Sequence, residues 1–179
     1  MELINKFNNI KAIVLDIDGV MTDGTFGYGN DDEIKFFSTQ DGVAIISAKK
    51  LGYIVGAISG RSCSANYRRA KELQFDFLYE EISTKIDAFE KILTNFNLNS
   101  NECLYMGDDL QDIAVIMKAG VGVMPANAPK YIHCYADYVT TKNGGDGAIR
   151  EIVDLLIEKT GQRNKIFDFY GINFAKNDE

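Results

Sequence analysis

The sequence predicts an α/β domain built on a mostly parallel sheet. Three observations carry this expectation. Short β-rich apolar runs alternate along the chain with segments of helical periodicity. Glycines such as Gly52 and Gly120 stand where those helical patterns should stop. Polar and charged residues follow directly after the apolar runs, at the strand ends where sheets of this kind bind ligands.

In chain order, the first strand candidate is "KAIVLD" (11–16), an apolar run that ends in Asp16 and is followed by Asp18 and a turn at Gly19. The next segment, "TFGYGNDDEIKFFSTQDG" (25–42), breaks the rhythm. β-type residues flank the turn-rich "GNDDE", so a β-hairpin is expected over about 25–38. A helical pattern at 42–51 then leads to "YIVGAIS" (53–59), and another at 62–73 to "FDFLY" (75–79). Over 84–96, Ile86, Phe89, Ile92, Leu93 and Phe96 recur at helical spacing. "ECLYMGD" (102–108) precedes a helical pattern at 109–118, and "VGVMP" (121–125) and "ADYVT" (136–140) complete the strand candidates. Ile149, Ile152, Val153, Leu156 and Ile157 mark the last helix, at 146–159. Residues 161–179 carry several aromatics without a clear period, which suits a disordered tail or one that docks on a partner subunit. One domain over 1–160 followed by a tail is the expected organisation.

The 179 residues fit a single domain with a sizeable core. A net charge of -7 argues against a uniformly basic nucleic-acid surface, while leaving room for a local basic pocket that takes a small anion. The longest apolar runs are strand-sized, so no transmembrane helix is expected. "MELINKFNNIK" lacks the apolar core of a signal peptide, which points to the cytoplasm. Cys63, Cys103 and Cys134 are widely spaced with no CxxC, and His133 is the only histidine, which disfavours a zinc site. Hydrolytic chemistry would then run on carboxylates, lysine and hydroxyls.

Such groups follow the strands. Asp16 and Asp18 follow the first, Ser59, Gly60 and Arg61 the second, Lys85 opens the helix after the third, and Asp108, Asp109 and Asp112 follow the fourth. Taken singly, each is an ordinary turn or helix start. In a parallel sheet all of them share one edge, and carboxylates crowded there need a positive partner. Mg²⁺ is the implied ion, being hard, oxygen-seeking and often shared with a phosphate. Asp16 and Asp108 would supply carboxylates and Asp18 a backbone carbonyl. Ser59, the amides of the Gly60 turn and Lys85 suit a phosphoryl group.

"DIDGVMTDG", "ISGR", Lys85 and "MGDDLQD" together resemble the four motifs of the haloacid dehalogenase superfamily of phosphotransferases. The likeness spans Lys11 to about Lys159. The hairpin entering "FFSTQDG", "AISGR" and "NGGDGAIRE" are similar to the small capless branch that contains the 3-deoxy-D-manno-octulosonate 8-phosphate (KDO 8-phosphate) phosphatases. The resemblance implies a Rossmann-like fold without a cap domain and Mg²⁺ as cofactor. It also implies a homotetramer assembled through the hairpins, in which neighbouring subunits help cover the site. Asp16 would be the nucleophile, Asp18 the general acid and then base, Lys85 and Ser59 the groups that steady the phosphate, and Asp109 and Asp112 supports behind the metal ligands or reached through water. Ser38, Thr39, Gln40, Asp41, Gly42, Gly60, Arg61 and Arg69 fall on substrate-contacting positions of the branch; the role of Gln111 is open. An arginine fork suits a sugar-acid carboxylate. The expected substrate is KDO 8-phosphate. A nine-carbon keto-deoxy sugar acid 9-phosphate is the close alternative, disfavoured by Arg61, where the nine-carbon enzymes tend to be acidic. A phosphorylatable receiver or a non-catalytic assembly subunit is a third reading. Asp16 and Asp18 on one strand end argue against the receiver, and the full set of catalytic residue types argues against the subunit.

Overall fold

Four consecutive buried apolar residues, Ala12–Leu15, form the central strand β1. A strand covered on both faces reads as an unbroken apolar run rather than an alternating one. The structure, a computed structural model, describes residues 2–29 and 33–172. Helix α1 (Glu2–Phe7) precedes β1, and the short strands β2 (Gly27–Tyr28) and β3 (Glu33–Ile34) follow it. The chain continues through α2 (Thr39–Lys50), β4 (Ile54–Ile58), α3 (Ser64–Glu72), β5 (Phe77–Tyr79), α4 (Lys85–Asn95) and β6 (Cys103–Met106). It ends with α5 (Ile113–Lys118), β7 (Val121–Met124), β8 (Tyr138–Val139), α6 (Ala148–Lys159) and α7 (Arg163–Phe169).

The main sheet has the order β5-β4-β1-β6-β7-β8 with every pair parallel. Each of the six expected strands is present. Side chains alternate across β1: Ile13 and Leu15 pack with α2 and α6 on one face, Ala12 and Val14 with α4 and α5 on the other. Within α4, Phe89 and Ile92 are fully buried, as the helical spacing requires. Because the sheet is parallel, the loops after β1, β4 and β6 all leave from the same edge.

Local chemistry sets the helix ends. The Ser38 hydroxyl accepts from the Asp41 amide at 3.3 Å and starts α2, with Asp41 in its first turn and Lys49 and Lys50 in its last. Gly52, at φ +91°, ends it. The helix expected at 109–118 is divided. Asp109 and Asp112 cap a 3₁₀ turn over Leu110–Asp112 before α5 begins, because their carboxylates bind nearby amides better than a regular first turn would allow. Residues 163–169, aperiodic in sequence, form α7. This helix lies on the chain's own α2 through a Ser47–Tyr170 hydroxyl pair at 3.4 Å and Lys50 over the Phe169 ring. Gln162 adds a hydrogen bond to the Tyr53 hydroxyl at 2.7 Å. The tail beyond residue 172 lies outside the described residues.

The hairpin stands apart from the main sheet as an antiparallel pair with Gly27 opposite Ile34 and Tyr28 opposite Glu33. Tyr28 and Phe36 are about four-fifths exposed and Ile34 half exposed. Among the described residues no helix is long and apolar enough to cross a membrane. His133 binds the Ala128 carbonyl at 2.8 Å, a structural contact, and burial pushes the Cys103 thiol up to about 12.

The loop before α6 is pinned close to the loop after β1. Glu151 accepts from the Thr141 amide at 2.9 Å, the Thr141 hydroxyl at 2.7 Å and the Lys142 amide at 3.1 Å. A Cβ on Gly144 would lie 1.8 Å from the Gly19 carbonyl oxygen, a backbone atom that cannot step aside. Gly144→Ala is therefore expected to cost roughly 2 kcal/mol or more in urea unfolding. Gly27→Ala, whose nearest neighbour would be the Ile34 Cβ at 3.8 Å, should stay within about 0.5 kcal/mol of the parent.

Candidate active site

Asp16 is the first residue beyond β1 and is 3% exposed. Its amide donates to the Met106 carbonyl at 2.9 Å, which extends the ladder one step past the strand. Leu15 pairs with Ala57 on one side and Met106 on the other, so Ser59 and Asp108 leave the neighbouring strands beside Asp16. Lys85, the first residue of α4, has a fully buried side chain. Its Nζ lies 2.8 Å from Asp16 Oδ1 and 2.7 Å from Asp112 Oδ1.

Asp112 organises the floor. Its Oδ1 also accepts from the Tyr105 hydroxyl at 2.5 Å, and its Oδ2 accepts from the amides of Asp108 and Asp109, each at 3.1 Å. Two glycines let the backbone come this close. A Cβ on Gly107 would lie 2.3 Å from Asp112 Cγ, and one on Gly19 would lie 2.0 Å from Asp108 Oδ2. Gly19 also sits at φ +91°, which a side chain disfavours.

The electrostatics follow from one cation among three carboxylates. Burial, and then the Asp112 charge, push Asp16 up to about 8, against the pull of Lys85. Burial and Asp112 likewise push Asp108 up to about 6. Burial would lower Lys85, but Asp16 and Asp112 outweigh it and hold its pKa above the usual value. Carboxylate oxygens of Asp16, Asp108 and Asp112 lie within 4.8 Å of one another, close enough to share a cation. Asp112 already takes four donors, which fills a carboxylate's acceptor capacity. That leaves Asp16 and Asp108 as the candidate ligands, and Asp108 Oδ1 is buried without a hydrogen-bond partner. The residues fit a hard divalent ion.

Comparison with known proteins agrees. A family model described as haloacid dehalogenase-like hydrolase matches residues 77–152. The 3-deoxy-D-manno-octulosonate 8-phosphate phosphatase of Escherichia coli K12 is 37% identical over 162 residues, 90% of this chain and 86% of that protein. The chain belongs to the haloacid dehalogenase-like hydrolases. Within them it joins the KDO 8-phosphate phosphatase branch, and it is a phosphatase. The crystal structure of the Moraxella catarrhalis KDO 8-phosphate phosphatase, in complex with magnesium, phosphate and KDO, superposes with a TM-score of 0.90. It is 32% identical and covers 94% of this chain and 98% of its own. The cobalt-bound Haemophilus influenzae enzyme superposes at 0.84 with 30% identity, over 87% of this chain and 92% of its own.

The fold of this hydrolase family brings Asp16, Lys85, Asp108 and Asp112 into direct contact or near it. Ser59 is buried, and its hydroxyl accepts from the Arg61 amide at 3.1 Å, which shapes the turn through Gly60. The Gln111 amide oxygen would lie 3.8 Å from a Cβ on Gly60, so Gln111 reaches over this turn. Asp18 lies at the rim, its side chain 23% exposed. Arg61 is paired with Glu33 and lies 4.2 Å from the centre of the Phe26 ring. Asp109 is exposed and accepts from the Leu110 amide at 2.7 Å.

The "STQDG" group is engaged differently. Asp41 is buried and accepts from the amides of Arg150 at 2.8 Å and Gly147 at 3.3 Å, tying α2 to the start of α6. Arg69 donates to the Ser38 carbonyl and to Glu72, both at 2.9 Å, and passes so close to Gly42 that a Cβ there would meet Nη2 at 2.5 Å. Arg69, Thr39 and Gly42 line a cleft of about 260 Å³ whose walls include none of Asp16, Lys85, Asp108 and Asp112. Thr39 and Gln40 are exposed.

Sequence reasoning missed four contributors. Tyr105 reads as one more core residue of β6, and only its hydroxyl on Asp112 reveals its part. Asn127 ties the Gly19 carbonyl (3.0 Å) to the Gly144 amide (2.6 Å) from a loop with no motif of its own. Thr22, fully buried, receives the amides of Gly19 and Gly24 at 3.3 and 3.2 Å. Lys35 reads as a hairpin surface residue, yet its side chain is fully buried against Asp18.

A carboxylate with a raised native pKa binds its proton more tightly folded than unfolded, so stability is lost as pH rises between the two values. For Asp16 this window runs from 3.8 to about 8. In chelator, the melting temperature should fall as pH is raised through this window. Added Mg²⁺ should recover more of it at pH 8 than at pH 5. Asp16→Asn should flatten the chelator profile, as followed by differential scanning calorimetry.

Proposed function

We propose that this phosphatase hydrolyses KDO 8-phosphate to KDO and phosphate, with Mg²⁺ and an aspartyl-phosphate intermediate. The observation that carries the reading is the buried Asp16 held by Lys85 beside Asp108, in a chain 37% identical to a named KDO 8-phosphate phosphatase. Asp16 and Asp108 would hold the ion with the Asp18 carbonyl, and bound Mg²⁺ would offset their charge and polarise the phosphoryl oxygens.

The chain's own residues do the rest. An Asp16 carboxylate oxygen attacks phosphorus in line, and the bond from phosphorus to the sugar oxygen breaks. Asp18, at the rim where the leaving group exits, gives that oxygen its proton. It then takes a proton from the water that cleaves the acyl phosphate and frees Asp16. Lys85 fixes the Asp16 rotamer and neutralises phosphate charge, while Ser59 and the amides of the Gly60 turn bind phosphoryl oxygens. Arg61 is the nearest fork for the sugar-acid carboxylate, which must compete with Glu33 for it. Of the remaining group, Ser38, Thr39, Gln40 and Arg69 contact substrate from this chain or a neighbouring copy, while the buried Asp41 and Gly42 shape the loops around it. The enzyme works in the cytoplasm, in keeping with its three unpaired cysteines.

Asp16→Asn should abolish turnover, by at least about 10⁴-fold, because the amide is a poor nucleophile and a poor ligand. The parent should release phosphate from KDO 8-phosphate with a higher kcat/KM than from the nine-carbon sugar acid 9-phosphates. A higher value for a nine-carbon substrate would reassign the enzyme to that reaction.

The working unit is a homotetramer joined through the hairpins. Supporting this are the exposed Phe26, Tyr28, Ile34 and Phe36 on a pair of two-residue strands, which alone has little stability in water. Light scattering during size exclusion should give four times 19.9 kDa for the parent. Replacing Phe26 and Tyr28 together by Asp should yield smaller particles.

A further inference from the structure

We propose that Lys35 is a positioning residue for the reaction, reaching from the hairpin to fix the carboxylate of Asp18. The inference rests on the reading of Asp18 as the proton-transferring group. Lys35 directly follows β3. Period-two alternation turns Ile34 and Phe36 outward and Lys35 inward. Its side chain is fully buried, which is unusual for a lysine and requires a charged partner. That partner is Asp18: Nζ lies 2.7 Å from Oδ1 and 2.9 Å from Oδ2. Glu33 Oε2 is 3.8 Å away on the other side and holds Arg61 in turn.

The backbone around Asp18 is fixed by other groups, namely Thr22, the Gly19 turn and Asn127. Its side chain is a different matter. Among the described residues, Lys35 supplies the hydrogen bond that the Asp18 carboxylate accepts. A partly exposed aspartate on a turn would otherwise sample several staggered rotamers. Proton transfer needs the carboxyl within about 2.6–3.2 Å of the leaving oxygen. An ammonium hydrogen-bonded to Oδ2 selects one placement, in which Oδ1 has no hydrogen-bond partner of its own. The hairpin therefore has a second task besides offering an apolar outer face: its inner face carries a cation to the proton-transferring group.

A merely structural ion pair, closing the hairpin on the body, makes a different forecast. The test is a double-mutant cycle with Lys35→Met and Asp18→Asn, read as single-turnover release of phosphate from KDO 8-phosphate. Circular dichroism and particle mass are checked for each variant. K35M should lose about 10²-fold in the parent background, the cost of roughly 1 Å of misplacement. In the D18N background the same change should alter the rate less than about threefold, because Lys35 acts through Asp18. Equal losses in both backgrounds, or a loss below about threefold in the parent, would overturn the proposal. So would a crystal structure of K35M in which the Asp18 carboxylate keeps its place. Should K35M fail to fold, Lys35→Gln carries the same cycle with a neutral donor on a stem of similar bulk. The reading of Asp18 is checked separately by single-turnover release of the leaving group, KDO or p-nitrophenol, the second of which needs no proton. If D18N slows both releases equally, the acid role fails; a cycle that still couples Lys35 to Asp18 would leave the positioning role standing.

Discussion

A single buried ammonium sets the terms for this site. Lys85 lies between Asp16 and Asp112 at under 3 Å from each, with almost no contact with water. A lysine buried this far survives only with its charge matched, and a carboxylate buried this far survives only with a cation or a proton. The two requirements meet here. One lysine cannot balance three carboxylates, and burial together with that excess pushes Asp16 and Asp108 up. The protein thus stores an electrostatic demand for a divalent ion and then for a phosphoryl group. The same demand explains the division of labour among the acids. Asp112, which takes four donors, serves the floor, while Asp16 and Asp108 stay available for chemistry.

Close approach makes this arrangement possible, and close approach needs missing side chains. Gly19 and Gly107 admit Asp108 and Asp112 at distances a Cβ would forbid, and Gly144 lies against the Gly19 carbonyl. The loop before α6 is thereby packed backbone to backbone on the loop after β1, which in turn lies against the Asp108 side chain from the loop after β6. Asn127 laces two of them, and Asp41 ties the start of α2 to the start of α6. Rigid loops of this kind hold Asp16 and its partners in place without help from a cap domain.

Much of this was legible in the sequence because it depends on strand order along the chain. Each of the six strands is an apolar run, and the chemistry-bearing residues follow directly after them, so a parallel sheet was enough to bring Asp16, Ser59, Lys85 and Asp108 to one edge. The division of the 109–118 helix was not legible, since it depends on Asp109 and Asp112 finding amides that only the folded loop presents. Helix α7 was hidden for a related reason. Its seven residues are too few to show a period, and what holds it is α2 and Tyr53, distant in sequence. Tyr105, Asn127 and Lys35 escaped notice because their importance lies in a single polar atom reaching across the fold.

The hairpin is where these two kinds of information meet. Its outward residues announce themselves in the sequence as aromatics outside the α/β rhythm, and they speak to assembly. Its inward residue, Lys35, is silent in the sequence and speaks to the site. Both follow from the same alternation of a short strand, so the faces cannot be moved independently. A one-residue slip of β3 against β2 would turn Lys35 outward and bring Ile34 and Phe36 against Asp18. Register in this small sheet is therefore a constraint on chemistry as well as on packing. The contacts that enforce it are the ones that bind the hairpin to the body: Lys35 on Asp18, Glu33 on Arg61, and Arg61 over Phe26. Arg61 joins the turn through Ser59 to the hairpin, and Lys35 joins the hairpin to the loop after β1. The Asp18 side of the site is thus framed by charge pairs, where the Asp16 side is framed by glycines and buried carboxylates.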